Sequence, residues 1–320
     1  MSDTTGNPVT TLHEWAEPPK PRQEWKVVVA VLFALIVFEG TIRKLQSKLS
    51  KDLVHQFGIQ QIIDEVASAD QPSGLFLGNS LIREGIDSDT FATMFPDLHL
   101  AKIHPDDTSV VEWRYLFDRV AASDLNAGDW VVIGYAQNQL TDDGIVRPRR
   151  LGAWYLNAEN QADTLSEDVT SFAGRFELFA AKYLTSFAVA ERIRSRVLAA
   201  LVPMYEVTAQ RLNRVAELEE SPSPTDGMRA ASYVRLERLL AVAKQHRIDL
   251  SVVAIPVGEP FRLDPGLLAK LEKAGVRHID ARSVPGIGPD SFPDGYHMDP
   301  SAAKLFTEFV AQQLRQEPSP

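Results

Sequence analysis

Apolar residues fall along this chain in three patterns. One is a single unbroken run over residues 27–38. The second, over residues 74–141 and again over 228–315, alternates short apolar runs with longer stretches of helical period. The short runs at 75–77, 99–103, 130–136, 250–256 and 277–280 predict strands. Between them lie helical faces: Val110, Val111, Trp113, Leu116, Phe117 and Val120; then Val234, Leu236, Leu239, Leu240 and Val242; and last Leu305, Phe306, Phe309 and Val310. Asp299 as N-cap and Pro300 at the first helical position open the last of these helices. Strands regularly separated by helices predict βαβ units and an α/β fold around a parallel sheet.

The third pattern interrupts this rhythm. Residues 142–227 open with a turn and the basic cluster Arg147, Arg149 and Arg150, are mostly helical over 172–219, and return through a Ser/Pro-rich linker at 221–227. That is too long for an ordinary connection and predicts a helical insert. Its Arg cluster suits either a solvated surface or an anionic group, and Trp154 and Tyr155 suit either core packing or stacking on sugar rings. Upstream, residues 1–24 are polar and predict a disordered tail, while 43–73 form a helical connector through Leu45, Leu49, Leu53, Val54, Ile59, Ile62, Ile63 and Val66. The apolar run, extended to 25–42, carries charges only at Lys26 and Glu39 and predicts a single membrane-spanning helix, with a buried core helix as the alternative. No small-residue cleavage site follows it, which favours an uncleaved anchor. Basic residues flank it on both sides, so charge leaves its orientation open. The domains expected are thus 1–24 tail, 25–42 anchor, 43–73 connector, 74–141 and 228–315 α/β domain, and 142–227 insert.

Composition narrows the chemistry. With 320 residues and 44% apolar content the chain can bury a full core. A net charge of −10 without a basic block argues against a nucleic-acid partner. The absence of cysteine excludes disulfides and thiolate catalysis, and seven histidines in no metal-ligand spacing give no reason to expect a metal or other cofactor.

Two stretches carry candidate chemistry. In Gly74-Leu-Phe-Leu-Gly-Asn-Ser80, a strand runs into a tight turn at Gly78 and Asn79, and Ser80 lies where the chain enters a helix. A hydroxyl there faces the crevice at which α/β sheets bind ligands, although a serine in this position also serves as a simple N-cap. In Phe292-Pro-Asp-Gly-Tyr-His-Met-Asp299, Asp294 and His297 stand three apart on a loop expected at the same rim. Such a pair is either a local hydrogen bond or a base with its orienting carboxylate.

On these blocks the chain resembles the SGNH (GDSL-like) hydrolase superfamily, over roughly 74–314 apart from the insert. Gly78-Asn79-Ser80 is similar to the family's Gly-Asp-Ser block, Asp294-Gly-Tyr-His297 to its Asp-x-x-His block, and Ala136-Gln-Asn138-Gln139 to its Gly-x-Asn-Asp block. The resemblance implies a flavodoxin-like three-layer sandwich in which Ser80 is the nucleophile, His297 the general base, Asp294 its orienting acid and Asn138 an oxyanion donor, with Gly78 and Asn79 shaping the turn beside the substrate. Two departures stand out. Asn79 replaces an aspartate, and the family's second block, a glycine that offers its N–H to the oxyanion, meets only Ala101-Lys-Ile-His-Pro-Asp-Asp-Thr108. Losing one such donor typically costs about 2.7–4 kcal/mol of barrier lowering.

The resemblance implies an acyl-serine enzyme. Membrane-anchored relatives that modify cell-surface polysaccharide share the layout, so an esterase or O-acyltransferase acting on carbohydrate acyl groups is expected. The domain would lie outside the cytoplasm, and an acyl-donor partner in the membrane would be one further associate. The other reading is an inactive SGNH fold that binds polysaccharide or partner subunits, which the missing glycine favours.

Overall fold

The computed structural model describes residues 21–48, 50–123, 125, 128–205, 208 and 231–316. Strands β1 (Ser73–Leu77), β2 (His99–Ile103), β3 (Trp130–Tyr135), β4 (Asp249–Ala254) and β5 (Arg277–Asp280) form one parallel sheet in the order β2-β1-β3-β4-β5. This is the flavodoxin-like order, and its topological switch point lies between β1 and β3. Every residue of β1, and all but the first of β3 and β4, is buried, as a sheet covered on both faces requires.

Each face has its own helical layer. On one side pack α2 (Lys51–Ala67), α5 (Val110–Ala121), α9 (Val234–His246) and α10 (Pro265–Ala274), together with part of the insert. On the other pack α3 (Ser80–Gly85), α4 (Ser88–Met94) and α11 (Pro300–Arg315). Helix α3 sits close to the sheet because Ile82 fills the space above Gly78 and Gly134, where a Cβ on either glycine would collide with it. At the chain's end, Thr307 of α11 accepts the Asp87 N–H at 2.9 Å, tying the last helix to the turn after α3.

The insert leaves and re-enters at one point. Asp142 accepts backbone N–H groups from Val234 (2.6 Å) and Arg235 (3.1 Å), so the first residue of the insert caps the helix that ends it. Between these ends the described residues form short helical turns and then α6 (Phe172–Tyr183), α7 (Thr185–Ala188) and α8 (Ala190–Leu201). The insert is fastened by Asp168, whose fully buried carboxylate meets Arg114 of α5 at 3.0 Å and Arg235 of α9 at 2.7 Å. Tyr115 donates to the same carboxylate, and burial followed by this hydrogen bond pushes its phenol up to about 12. Helix α5 is therefore buried nearly all round, Glu112 and Arg114 included, because the insert covers the side that amphipathic spacing assigns to water.

Several expectations shift. Helix α1 runs Pro21–Leu45, starting inside the expected tail and passing the expected end of the anchor. The connector is not continuous with it: Ser50, extended at φ −162°, accepts the Leu53 N–H and starts α2 afresh. Val54, Val234 and Leu305 are exposed rather than buried, each lying on the outward side of its helix. Tyr155 is buried and donates to Gln56 at 3.2 Å, and Trp154 packs edge-on against Phe57, so both serve packing rather than sugar stacking. The expected tail before residue 21, the helical stretch beyond 208 and the 221–227 linker lie outside the described residues. The segment Glu24–Leu45 is long and apolar enough to cross a membrane, at mean hydropathy 2.1 with only 6% of its apolar window buried.

Removing Asp168 takes the buried carboxylate from both arginines, leaving Arg114 with Glu167 at 3.2 Å and Arg235 with Asp142 at 3.4 Å. Asp168→Ala is expected to lower unfolding free energy by about 3–5 kcal/mol, read as the denaturation midpoint of the full chain in detergent. A midpoint within error of wild type would show that the cluster does not fasten the insert.

Candidate active site

Parallel strands place all their C-terminal ends on one rim, and the loops leaving that rim build the site. Gly78 extends β1 by donating its N–H to Ile103 O at 2.9 Å, and Ser80 follows at the start of α3. On the far side of the chain, the loop before α11 is held at both ends. Phe292 and Met298 are buried in the core beneath it, and the Asp299 N–H donates to Ser291 O at 2.8 Å. Between these anchors Gly295 takes φ +81°, and Gly258 after β4 lies so close below that a side chain on it would strike the Gly295 carbonyl.

This loop delivers His297 to Ser80. His297 Nε2 lies 2.8 Å from Ser80 Oγ, and His297 Nδ1 lies 2.7 Å from Asp294 Oδ2. The other oxygen of Asp294 accepts the backbone N–H groups of Tyr296 at 2.9 Å and His297 at 2.7 Å. Burial acts to raise the Asp294 pKa, but the hydrogen bonds from the His297 ring and from these two amides outweigh it and hold the carboxyl at about 2. An ionised carboxylate only accepts, so Nδ1 carries the imidazole proton and Nε2 presents its lone pair to the Ser80 hydroxyl. The three side chains form one directed relay across 217 residues of sequence.

Asn79 is buried and joins the turn to the next loop. Its Oδ1 accepts the Leu81 N–H at 3.0 Å, capping α3, while Nδ2 donates to Thr108 O at 3.0 Å. An aspartate could make the first bond but not the second, since it would set a carboxylate oxygen against a carbonyl. Asparagine here is thus matched to the loop between β2 and α5.

That loop has no glycine, yet Asp107 adopts the left-handed conformation at φ +54°, which Asp tolerates better than most residues. It is held from three sides. Arg147 and Arg150 of the insert both donate to Asp107 O, at 2.7 and 2.6 Å. From α2, Asp52 accepts the Asp106 N–H and His55 Nε2 accepts the His104 N–H, each at 2.8 Å. Arg83 of α3 pairs with the Asp106 carboxylate. Arg147 and Arg150 therefore position a loop of the site, and Arg149 pairs separately with Glu177 at 3.2 Å.

The loop after β3 also contains a left-handed residue, Gln137 at φ +50°. Asn138 is exposed beyond it, in the turn that follows β3, the strand next to β1, with its carbonyl fixed by Thr141. Gln139 is a link that block matching misses: its Oε1 accepts the Ala136 N–H at 2.9 Å and its Nε2 donates to Tyr296 OH at 2.8 Å, tying this loop to the histidine loop. Lys102 is half-buried, not solvated, and donates to Ile86 O at 2.9 Å. It lines a cavity of about 390 Å³ with Arg83, Asp87, Asp89 and Met298, which does not include Ser80, His297 or Asp294. His278 faces Tyr135 OH at 3.0 Å, away from the relay. Among the described residues no group of three or more His, Asp and Glu side chains could hold a metal ion.

Comparison with known proteins adds little. No family model matches the chain, and no curated protein matches it. Two solved structures of Axe2 from Geobacillus stearothermophilus, an acetylxylan esterase and a mutant form termed an acetyl-xylooligosaccharide esterase, align over 79% of this chain and 97% of theirs at 11% identity and a TM-score of 0.38.

His104 stacks on His55 with ring centroids 3.8 Å apart, and burial, reinforced by His55, pushes it down to about 3 from an ordinary 6.5. Between those values the unfolded chain binds the proton that the fold excludes, so stability falls as pH drops through this window. His104→Phe, which keeps a ring in the stack, is expected to make the fall of the denaturation midpoint between pH 6.5 and 4 shallower than in wild type. Superimposable pH profiles would contradict the assignment.

Proposed function

We propose that the chain is a membrane-anchored serine acylesterase or O-acyltransferase of the SGNH type, acting on acyl groups, acetyl among them, of cell-surface carbohydrate. The observation that carries this reading is the Ser80–His297–Asp294 relay, with contacts of 2.8 and 2.7 Å at the switch-point rim of a flavodoxin-like sheet. In the proposed reaction Ser80 Oγ attacks the acyl carbonyl while His297 Nε2 takes the hydroxyl proton, and Asp294 stabilises the imidazolium that forms. The oxyanion is met by the Ser80 N–H at the head of α3 and by the Asn138 amide on the neighbouring loop. Collapse of the tetrahedral adduct breaks the ester C–O bond, and the imidazolium returns its proton to the departing alcohol oxygen. Water, or an acceptor sugar hydroxyl, then gives its proton to His297 and attacks the acyl-serine; collapse of this second adduct breaks the acyl–Oγ bond, and the imidazolium returns its proton to Ser80 Oγ.

The relay's exposure bears on which acceptor wins. Side-chain exposure is 30% for His297 and 55% for Asp294, so the isolated chain leaves the acyl-serine open to water. Hydrolysis is favoured unless an acceptor or partner covers this rim, and an acyl donor held in the membrane would suit a transfer reaction. The anchor in this reading is α1, which sets the domain against an extracytoplasmic membrane face.

With 4-nitrophenyl acetate, full-length wild type in detergent is expected to show a burst and an acetyl adduct on Ser80 by quenched mass spectrometry. Ser80→Ala should give neither, and His297→Ala should lose roughly 10²–10⁴-fold in rate. Adding acetyl-accepting oligosaccharides would then divert acetyl from water to sugar if transfer is the physiological reaction. No adduct and equal rates in all three proteins would leave a non-catalytic carbohydrate- or subunit-binding fold as the better reading.

A further inference from the structure

The end of α1 is locked to the insert. Glu39 accepts the backbone N–H groups of Thr185 (2.6 Å) and Ser186 (2.9 Å), and Arg43 donates to Tyr183 O at 2.8 Å. Ile42, Leu53 and Val189 bury one another beside these bonds. The corner between α6 and α7 is therefore fixed at the level of residues 39–43.

That level matters because the apolar run is short. A hydrocarbon core takes about 20 helical residues, and residues 27–38 supply 12. If Trp25 sits at one interface, about 20 residues of helix reach Lys44, so the far interface falls at the turns to which the insert is bonded. The corner of the insert bonded to Glu39 and Arg43 therefore lies at the surface of the membrane that α1 crosses.

Its surface is built accordingly. Phe172, Phe176 and Tyr183 lie on one face of α6, with exposures of 88%, 63% and 64%. The Phe176 ring meets Phe187 of α7 edge-on at 6.4 Å, next to the residues bonded to Glu39. On α8, Ile193 packs toward α1, and Val197 and Leu201 continue the same stripe into solvent, Leu201 at 74%. Arg192 of this helix pairs with Asp52 at 3.2 Å, and Arg194 and Arg196 are exposed beside the stripe, the composition of a helix that lies in a headgroup layer over anionic lipid.

We infer that the insert is a second membrane-contact element, with the apolar edges of α6 and α8 seated in the interface of the bilayer that α1 spans. This rests on the reading of α1 as an anchor. It fixes the domain by two attachments instead of one swivelling helix. Because Arg147 and Arg150 of the insert hold the loop beside Ser80, it also sets the height and tilt of the site over the membrane.

The chain contains no cysteine, so single cysteines report cleanly. Phe33→Cys in α1, Phe176→Cys in α6, Leu201→Cys in α8 and Lys273→Cys in α10 would each be labelled with bimane in the full chain. Each would be reconstituted in phosphatidylcholine–phosphatidylglycerol vesicles, with or without nitroxide-labelled acyl chains. Positions 176 and 201 lie away from α1 itself, so anchoring alone would not bring them to lipid. The expected result is several-fold quenching at 33, 176 and 201 and none at 273. Quenching at 33 with 176 and 201 behaving like 273 overturns the inference, leaves the anchor intact and points to a protein partner for the apolar edges. Absence of quenching at 33 removes the anchor and the inference with it.

Discussion

One hydrogen-bonded line, from Asp294 through His297 to Ser80, depends on nearly everything else in the domain. Its 2.7 and 2.8 Å contacts join a turn after the first strand to a loop before the last helix. A small error in the seating of either would break it. The first is seated by Ile82 lying against Gly78 and Gly134, the second by Phe292 and Met298 in the core and by Gly258 beneath Gly295. Around the line the rim loops are cross-tied: Asn79 to Thr108, Gln139 to Tyr296, and Asp107 to two arginines of the insert. These ties pre-position the relay without a bound substrate, which is what efficient proton transfer requires.

The sheet and the relay were largely legible beforehand because both are written in local signals. All five strands appear where apolar runs predict them, and Asp299-Pro300 opens α11 as its capping chemistry requires. The Ser80 and Asp294/His297 blocks are short, but parallel topology leaves them one rim on which to meet. What stayed hidden is long-range and polar. Nothing in the local pattern around Arg147 and Arg150 says that they grip a carbonyl 40 and 43 residues away. Val234 and Leu305 look like core by periodicity alone, whereas burial depends on which face the rest of the fold covers. The absence of glycine after β2 reads as a missing oxyanion donor, and local pattern gives no sign that Asp107 in the same loop takes a left-handed conformation held by the arginines of the insert.

The insert joins the apolar helix to the α/β domain. It is fastened to the α/β domain through Asp168 and Asp142, to the loop beside Ser80 through Arg147 and Arg150, and to the end of α1 through Glu39 and Arg43. Three attachments of this kind make it a rigid spacer between the apolar helix and the rim that carries Ser80 and His297. On the proposed function, such a spacer would fix the distance from the membrane at which substrate is met.

The central claim is that His297 makes Ser80 a nucleophile. Labelling of the full-length protein with a fluorophosphonate, followed by peptide mapping, tests it without assuming any substrate. The account predicts a single adduct on Ser80 that forms rapidly in wild type and is nearly lost in His297→Ala, with the fold unchanged by circular dichroism. Failure of wild type to label, or labelling at Ser80 that is indifferent to His297, would contradict it and reduce the relay to a structural hydrogen-bond network.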